Sequence, residues 1–538
     1  MPMKKNSTTY MVLAIILLIS LIGGVIAIYT TANGPWGHSD PVLYISTARS
    51  LDRGLGLGYY EGNAKFEPIT LEPPFYSIVL SAIGLSGVNL VAGARWLNIL
   101  AFVISIFISG WIFFRFSHVP FLGIVASVLM CVFPYMVEWF SSAYSEPLFI
   151  LLFLSGGLCL LYYLQKENLP ILLLSALLVG LLPGTRYAGI AMVFAGVLSV
   201  FLFVSGKFLA RIKKAALFLL VSGLPILAWI IWIYFSTPHS VGGRSLGVDW
   251  SGLAAQFQAF RGIFMDTIWK WVPFQSSGHL LSYKLRFALM GAGFVIILVL
   301  SYFAQRQVRK DHLREAHNSG IHIFGFFGLS SLTFLAVLIA TYLFTRPTID
   351  VDNRMLLPLY VGIVMSLFGG FSLWNFAWFK GWLRVVQIVP WLVVVICVIW
   401  YFPQTRDKVE YYHPGQDLTA YHWNRSDIIQ AVRDLPPDKP VISNDWELLL
   451  LWTGRPIYGF WNTFPSKPSI QTTSYGTNLQ DSTQSVFCEQ GAALVIFNDF
   501  PPQFRSNIGD LYFDQYPILF KGLSVYGKYL DGTIYFCH

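Results

Sequence analysis

Arg346-Pro-Thr-Ile-Asp350-Val-Asp352-Asn-Arg354-Met-Leu-Leu-Pro358-Leu-Tyr360 sets four charged side chains against the start of a long apolar run. Charge beside hydrocarbon is expensive, so such a cluster marks a functional site by default. The arrangement recurs along the chain. Its few charges fall at the outer ends of about eleven apolar spans of near membrane-crossing length, around Ser39-Asp40-Pro41, Arg95, Arg186 and 346–354. The pattern predicts a polytopic α-helical membrane protein acting on an anionic substrate at the outer membrane face.

Composition agrees. The 538 residues are 55% hydrophobic and only 12% charged, with a mean hydropathy of +0.58, whereas a soluble protein carries about 25% charged residues. Apolar runs of roughly 18 to 23 residues start at Tyr10, Gly93, Val119, Glu146, Leu169, Arg186, Ala215, Lys284, His322, Arg354 and Leu383. Lys and Arg in short loops mark the cytoplasmic side. Lys4, Lys5, Arg115, Lys166, Lys207, Arg211, Lys213, Lys214, Arg306, Arg309, Lys310, Arg314, Lys380 and Arg384 all fall on one side of the spans. The N-terminus is therefore expected in the cytoplasm, with the loops 30–92 and 236–283 and everything after about 401 outside. The first span follows two lysines, but its run is long and no Ala-x-Ala site follows, so it reads as an uncleaved anchor. The net charge of +8 records these cytoplasmic residues and gives no support to nucleic-acid binding.

Cys131, Cys159 and Cys397 lie inside apolar spans, where a small apolar role suffices. Cys488 and Cys537 share the outer segment, where an oxidising compartment would permit a disulfide; paired and free thiols both stay open. No Cys/His metal spacing occurs.

The chain divides into a transmembrane module, 1–403, and a small extracytoplasmic α/β domain, 404–538. In the latter Ser426-Asp427 caps an expected helix to Leu435, 440–444 reads as a buried strand, Trp446 to Trp452 as a helix and Ala492 to Asn498 as a second strand. Leu530-Asp-Gly-Thr533 reads as a hairpin turn. Asp445, Glu447 and Asp499 suit loop and cap roles.

The first outer loop is the richest region. Val42, Leu43, Ile45 and Leu51 against Arg49, Asp52 and Arg53 predict a helix lying on the membrane surface. Asp40 before Pro41 is both a standard helix start and a candidate for chemistry, and both readings stay open. Arg95, Arg186 and Arg354 each open an inward-running span, at the helix end carrying positive partial charge, where a cation is mildly disfavoured. Snorkelling, or pairing with Asp350, Asp352 or Glu138, is one answer. A phosphate held by these three with Arg346 is the other. Glu138 and Glu146 flank a short outer loop; Glu146 before Pro147 initiates a helix, or touches substrate or a metal. Tyr59, Tyr60, Trp461 and Tyr475 suit either sugar stacking or the ordinary aromatic belt.

The loop Asp40-Pro-Val-Leu-Tyr44-Ile-Ser-Thr-Ala48-Arg-Ser-Leu51-Asp-Arg-Gly54, continuing to Glu72-Pro73-Pro74-Phe-Tyr76, resembles the first extracytoplasmic loop of the GT-C glycosyltransferase superfamily. The resemblance is nearest the protein O-mannosyltransferase and aminoarabinose-transferase branch. Arg95-Trp-Leu-Asn98, Ser145-Glu146-Pro147-Leu-Phe149, Thr185-Arg186-Tyr-Ala-Gly189 and 352–360 extend it over 10–400. It implies an inverting transferase of the bacterial-type plasma membrane. The sugar would pass from a polyprenyl phosphate donor to a lipid, glycan or protein acceptor, through a hydroxyl or amine, on the outer face. Carried onto this chain, it makes Asp40 the general base and Arg354, with Arg186, the holder of the departing lipid phosphate, with Arg95, Arg346, Tyr44, Glu146 and Asp352 as further substrate-binding residues. A positioned base and a stabilised leaving group are what such a step needs. No cofactor is required; Asp40, Glu138 and Glu146 are the residues that would gather a divalent cation. Protein O-mannosyltransferases usually carry adjacent Asp-Glu in this loop, whereas Pro41 follows Asp40 here, which favours the broader bacterial branch.

Two other classes compete. A lipid-linked sugar transporter would need midplane polar groups and broken helices in repeated halves, and a scaffold would leave the charge cluster unexplained. Among enzymes, the rival is an oligosaccharide ligase with a polyprenyl diphosphate donor.

Overall fold

The computed structural model describes residues 7–117, 119–236, 245–247, 250–272, 314–373, 389–459, 490–498 and 523–537. Among them, five helices are long and apolar enough to cross a membrane: Thr9–Thr30, Leu90–Phe116, Glu146–Lys166, Phe208–Ser236 and Ser319–Phe344. A bent pair, Phe121–Val132 and Pro134–Phe140, makes a sixth if taken as one span, and Leu169–Thr185, Tyr187–Phe203 and Leu357–Ser372 are shorter apolar helices. The expected span from Lys284 lies outside the described residues, and the one from Leu383 is described from Val389 onward. Leu18, Val25, Leu220 and Phe235 are each more than half exposed. Helices that turn such side chains outward are stable in lipid, where the backbone satisfies its own hydrogen bonds and the apolar face needs no cover. The protein is an integral membrane protein.

Two compact units are distinguished. One comprises Met1–Thr31, Thr70–Tyr76 and Arg95–His413; the other comprises Ala32–Ile69, Ser77–Ala94 and Pro414–His538.

In the first unit, sequence chemistry explains where helices break. Pro134 lacks an N–H and forces the preceding residue out of the helical region. Phe133 is accordingly extended (φ −68°, ψ 120°), and the helices on either side bend by 63°. The Phe133 ring stacks on Tyr360, with centroids 3.5 Å apart. A second break falls at Arg186 (φ −151°, ψ 133°), which ends Leu169–Thr185 and precedes a 3-10 turn, Tyr187–Gly189. Gly180 lets two helices close up, because a Cβ there would lie 2.5 Å from the Ser222 carbonyl oxygen. The helix Val389–Tyr412 does not stop where the apolar run ends but continues through Pro403 to Tyr412.

The second unit joins the first-loop helix Ser39–Asp52 to the C-terminal segment. Its sheet runs Tyr458–Gly459, Val441–Ser443, Ala493–Phe497, Gly532–Cys537, Leu523–Lys528. The first three strands are parallel and the last two antiparallel to their neighbours. Helix Asp427–Asp434 is capped by Ser426, which accepts from Ile429 N, and Trp446–Thr453 by Asp445, which accepts from Leu448 N. The hairpin turn sits one residue earlier than expected, with Tyr529 N donating to Gly532 O at 2.8 Å. Cys488 lies outside the described residues.

The first-loop helix differs from its expected surface position. Val42, Leu43 and Ile45 are buried in protein, and the helix packs on Trp446–Thr453. Arg49 donates to Leu450 O (3.0 Å) and Leu451 O (2.7 Å), and Arg53 to Gly454 O (2.9 Å). Those carbonyls lie at the C-terminal end of that helix and at its C-cap, Gly454, where cations are favoured; Leu450 O also accepts from Gly454 N. Alternation of apolar and basic residues along one helix cannot distinguish a lipid headgroup from a helix end as the basic side's partner.

Candidate active site

Within the first unit, three chain breaks bring three charged residues together. Glu146 begins the helix Glu146–Lys166, with Pro147 behind it. Arg186 occupies the break after Thr185, and Arg354 the turn before Leu357–Ser372. Arg186 through Nη1 and Arg354 through Nε both pair with Oε1 of Glu146. The Glu146 side chain is 2% exposed, those of Arg186 and Arg354 14% and 17%. Its second oxygen, Oε2, is buried and accepts no hydrogen bond among the described residues. One carboxylate oxygen is therefore shared by two guanidinium groups, whose remaining N–H donors suit an anion, with the Asp352 carboxylate also in electrostatic reach of both.

Residues that the motifs left without a role surround this trio. Arg354 Cζ lies 4.2 Å from the Tyr144 ring centroid and 5.7 Å from that of Trp139, within cation–π range. Arg186 Nη2 lies 3.0 Å from Met355 Sδ. Asn98, fully buried, donates to Ser142 O (2.7 Å) and Tyr144 O (3.0 Å), bracing the loop that leads into Glu146. Tyr144 directly precedes the Ser145-Glu146 motif, and Met355 and Asn98 stand inside the 352–360 and Arg95-Trp-Leu-Asn98 motifs, which is the signal the sequence offers.

The other candidates have different surroundings. Asp352 accepts from Met355 N at 2.8 Å. Desolvation raises its carboxyl above the usual range, opposed by that bond and by Arg354, with Glu146 and Arg186 also in electrostatic reach. Arg95 donates to Thr31 Oγ1 (2.9 Å) and Ile28 O (3.1 Å), tying off the end of Thr9–Thr30. Arg346 donates to Gln256 Oε1 and Thr345 O, both at 2.9 Å. Glu138 accepts from Tyr412 at 2.8 Å and pairs with Lys408 at 2.9 Å. Asp350 is exposed. Among the described residues no group of three or more His, Cys, Asp or Glu side chains is placed to hold a metal ion.

Asp40 belongs to the second unit, half-buried in the first turn of Ser39–Asp52. Tyr44, one turn on, is fully buried. Ser39 donates to Glu447 Oε2 at 2.9 Å, and its Oγ lies 2.9 Å from His38 Nδ1. Burial raises the Glu447 carboxyl, and the Ser39 hydrogen bond opposes it; Asp445 and Asp40 push it further up, His38 down. Sequence suits Glu447 to a loop or cap role, and a link of 408 positions leaves no local signal of its bond to Ser39.

No family model matches the sequence, and no curated protein sequence matches it. Solved structures do match. ArnT from Cupriavidus metallidurans bound to undecaprenyl phosphate is similar with a TM-score of 0.54 at 13% identity, over 99% of this chain and 98% of that one. ArnT in the apo state gives 0.52 at 13%, over 96% and 97%. The Archaeoglobus fulgidus oligosaccharyltransferase in complex with Zn and sulfate gives 0.50 at 13%, over 96% of this chain and 73% of that one. The likeness is one of fold, and it is the GT-C fold that the loop motifs led us to expect.

Proposed function

We propose, from the premise that the chain has the GT-C fold, that it is a membrane glycosyltransferase using a polyprenyl phosphate-linked sugar. The observation that carries this reading is the convergence of Arg186 and Arg354 on Glu146. A paired guanidinium site at helix breaks fits a phosphate, and one protein of this fold has been crystallised with undecaprenyl phosphate.

In the proposed step an acceptor hydroxyl or amine attacks the anomeric carbon from the face opposite the phosphate. Its proton passes to the Asp40 carboxylate, the new bond to C1 forms, and the C1–O bond to phosphate breaks. Polyprenyl phosphate leaves with its charge held by Arg354 and Arg186, and the anomeric configuration inverts. A positioned base contributes about 10²–10⁴-fold to such a reaction, and fixed charges aimed at the leaving group add to it. The step balances without a metal ion. The reading places the N-terminus in the cytoplasm and the C-terminal segment outside a bacterial-type inner membrane.

The test is sugar transfer from radiolabelled polyprenyl phosphate donors to endogenous membrane acceptors, by wild type, Asp40→Asn and Arg354→Ala at equal expression. Loss of transfer with donor binding retained is expected for Asp40→Asn, and loss of donor binding for Arg354→Ala. Full activity in both variants would remove the assigned site.

A further inference from the structure

Ser39 is the first residue of the Asp40 helix, one position past its N-cap, His38, which makes no side-chain capping bond. The Ser39 hydroxyl donates to Glu447 Oε2 at 2.9 Å. Glu447 lies in the first turn of its own helix, which Asp445 caps by accepting from Leu448 N at 3.0 Å. Ser39 and Glu447, neither of them a helix cap, are thus bonded to each other within the second unit. At the far end of the same helix pair, Arg49 bonds Leu450 O and Leu451 O in the last turn of Trp446–Thr453, and Arg53 bonds the C-cap Gly454 O. The first-loop helix is consequently fixed to Trp446–Thr453 at both ends, and of these bonds the one from Ser39 lies nearest Asp40.

We propose that Glu447, in the C-terminal segment, is a positioning residue for Asp40, acting through Ser39. The inference rests on the reading of Asp40 as general base. A base must meet the acceptor proton within hydrogen-bond reach, and misplacement by about 1 Å costs on the order of 100-fold. Asp40 follows Ser39 directly, so the Ser39–Glu447 bond sets the orientation of the turn that carries the carboxylate. His38 and Asp445 are the other titratable groups beside Glu447.

The test uses the full-length protein and the polyprenyl phosphate donor that wild type turns over. Glu447→Ala and Ser39→Ala are each expected to lower kcat by about tenfold or more while leaving the donor KM within about twofold. The double variant should be no slower than the worse single, since both changes break one bond. Glu447→Gln, which still accepts from Ser39, should restore kcat to within about threefold of wild type. Wild-type kcat in both single variants, or additive losses with no recovery by Gln, would overturn the proposal. If Glu447→Ala does not fold, Ser39→Ala, which removes no helix cap, decides alone. Asp40→Asn separates the two levels. Its full activity would remove the base and with it anything to position, whereas an inactive Asp40→Asn beside a fully active Ser39→Ala removes this inference only.

Discussion

Arg354 reaches Glu146 across 208 positions of sequence and shares its Oε1 with Arg186. A carboxylate this buried is tolerated only because it is paired, and removing one partner of a buried pair typically costs about 3–5 kcal/mol. Glu146→Ala is therefore expected to lower the apparent melting temperature of the detergent-purified protein. Glu146→Gln is expected to act differently, keeping the shape while releasing both guanidinium groups from their counter-charge. Undecaprenyl phosphate should bind Glu146→Gln roughly threefold or more tighter than wild type at low salt, and bind Arg354→Ala and Arg186→Ala roughly tenfold or more weaker. Equal affinity in wild type and Glu146→Gln would show that the carboxylate does not compete with the ligand for the arginines.

Arg49 supplies two of the donors that close the helix Trp446–Thr453, at Leu450 O and Leu451 O. Burial lowers its pKa to about 10, so it remains protonated at neutral pH. Arg49→Met should cost about 1.5–3 kcal/mol through lost charge-assisted bonds. Arg49→Lys should recover little, because an ammonium cannot reproduce the guanidinium fork on two adjacent carbonyls. Faster hydrogen exchange over 39–52 and 446–453 in both variants is the expected outcome. Unchanged exchange would mean that apolar packing alone holds the pair.

Glu447 carries a pH dependence whose sign follows from its surroundings. Burial, then Asp445 and Asp40, raise its carboxyl above the ordinary 4.5 against the opposing pull of Ser39 and His38. The folded state then binds this proton more tightly than the unfolded chain, so the contribution to stability falls as pH rises through the raised value. Glu447→Gln removes that dependence. The apparent melting temperature of Glu447→Gln minus that of wild type should be larger at pH 8 than at pH 5. A difference constant across this range would show that the carboxyl is not raised.

Much of this architecture is legible in sequence because it depends on local chemistry. Ser426 and Asp445 cap helices, and short apolar runs between turn residues place the C-terminal strands and helices, whereas the span expected from Val119 runs on through Pro134, where the helix bends by 63°. Arg186, Arg354 and Glu146 stand out in the sequence because charge at the end of an apolar run needs a partner. What the sequence could not supply is the partner's identity. Arg95 and Arg346 carry the same local signal as Arg186 and Arg354 yet bond backbone and amide oxygens, and Glu138, a close sequence neighbour of Glu146, bonds Tyr412 and Lys408 instead. Those choices are made by long-range packing. The same holds for the first-loop helix, whose amphipathic pattern fits a membrane surface as well as the protein core it occupies.

Asn98 shows how such long-range packing reaches the site. Its amide donates to Ser142 O and Tyr144 O, and these carbonyls lie in the short loop that delivers Tyr144 to Arg354 and Glu146 to both arginines. Asn98→Ala leaves two buried acceptors without a donor, at a cost of about 1–3 kcal/mol. Asn98→Asp should be worse, because a carboxylate has no donor to offer and adds negative charge beside two carbonyl oxygens. The expected order of apparent melting temperature is wild type, then Asn98→Ala, then Asn98→Asp. Undecaprenyl phosphate affinity should fall several-fold in the alanine variant, since a loosened loop no longer holds Tyr144 over Arg354. Wild-type stability and affinity in Asn98→Ala would mean that the loop is held by its own Ser142 bond to Trp139 O, and that Asn98 contributes nothing to the arrangement of the arginines.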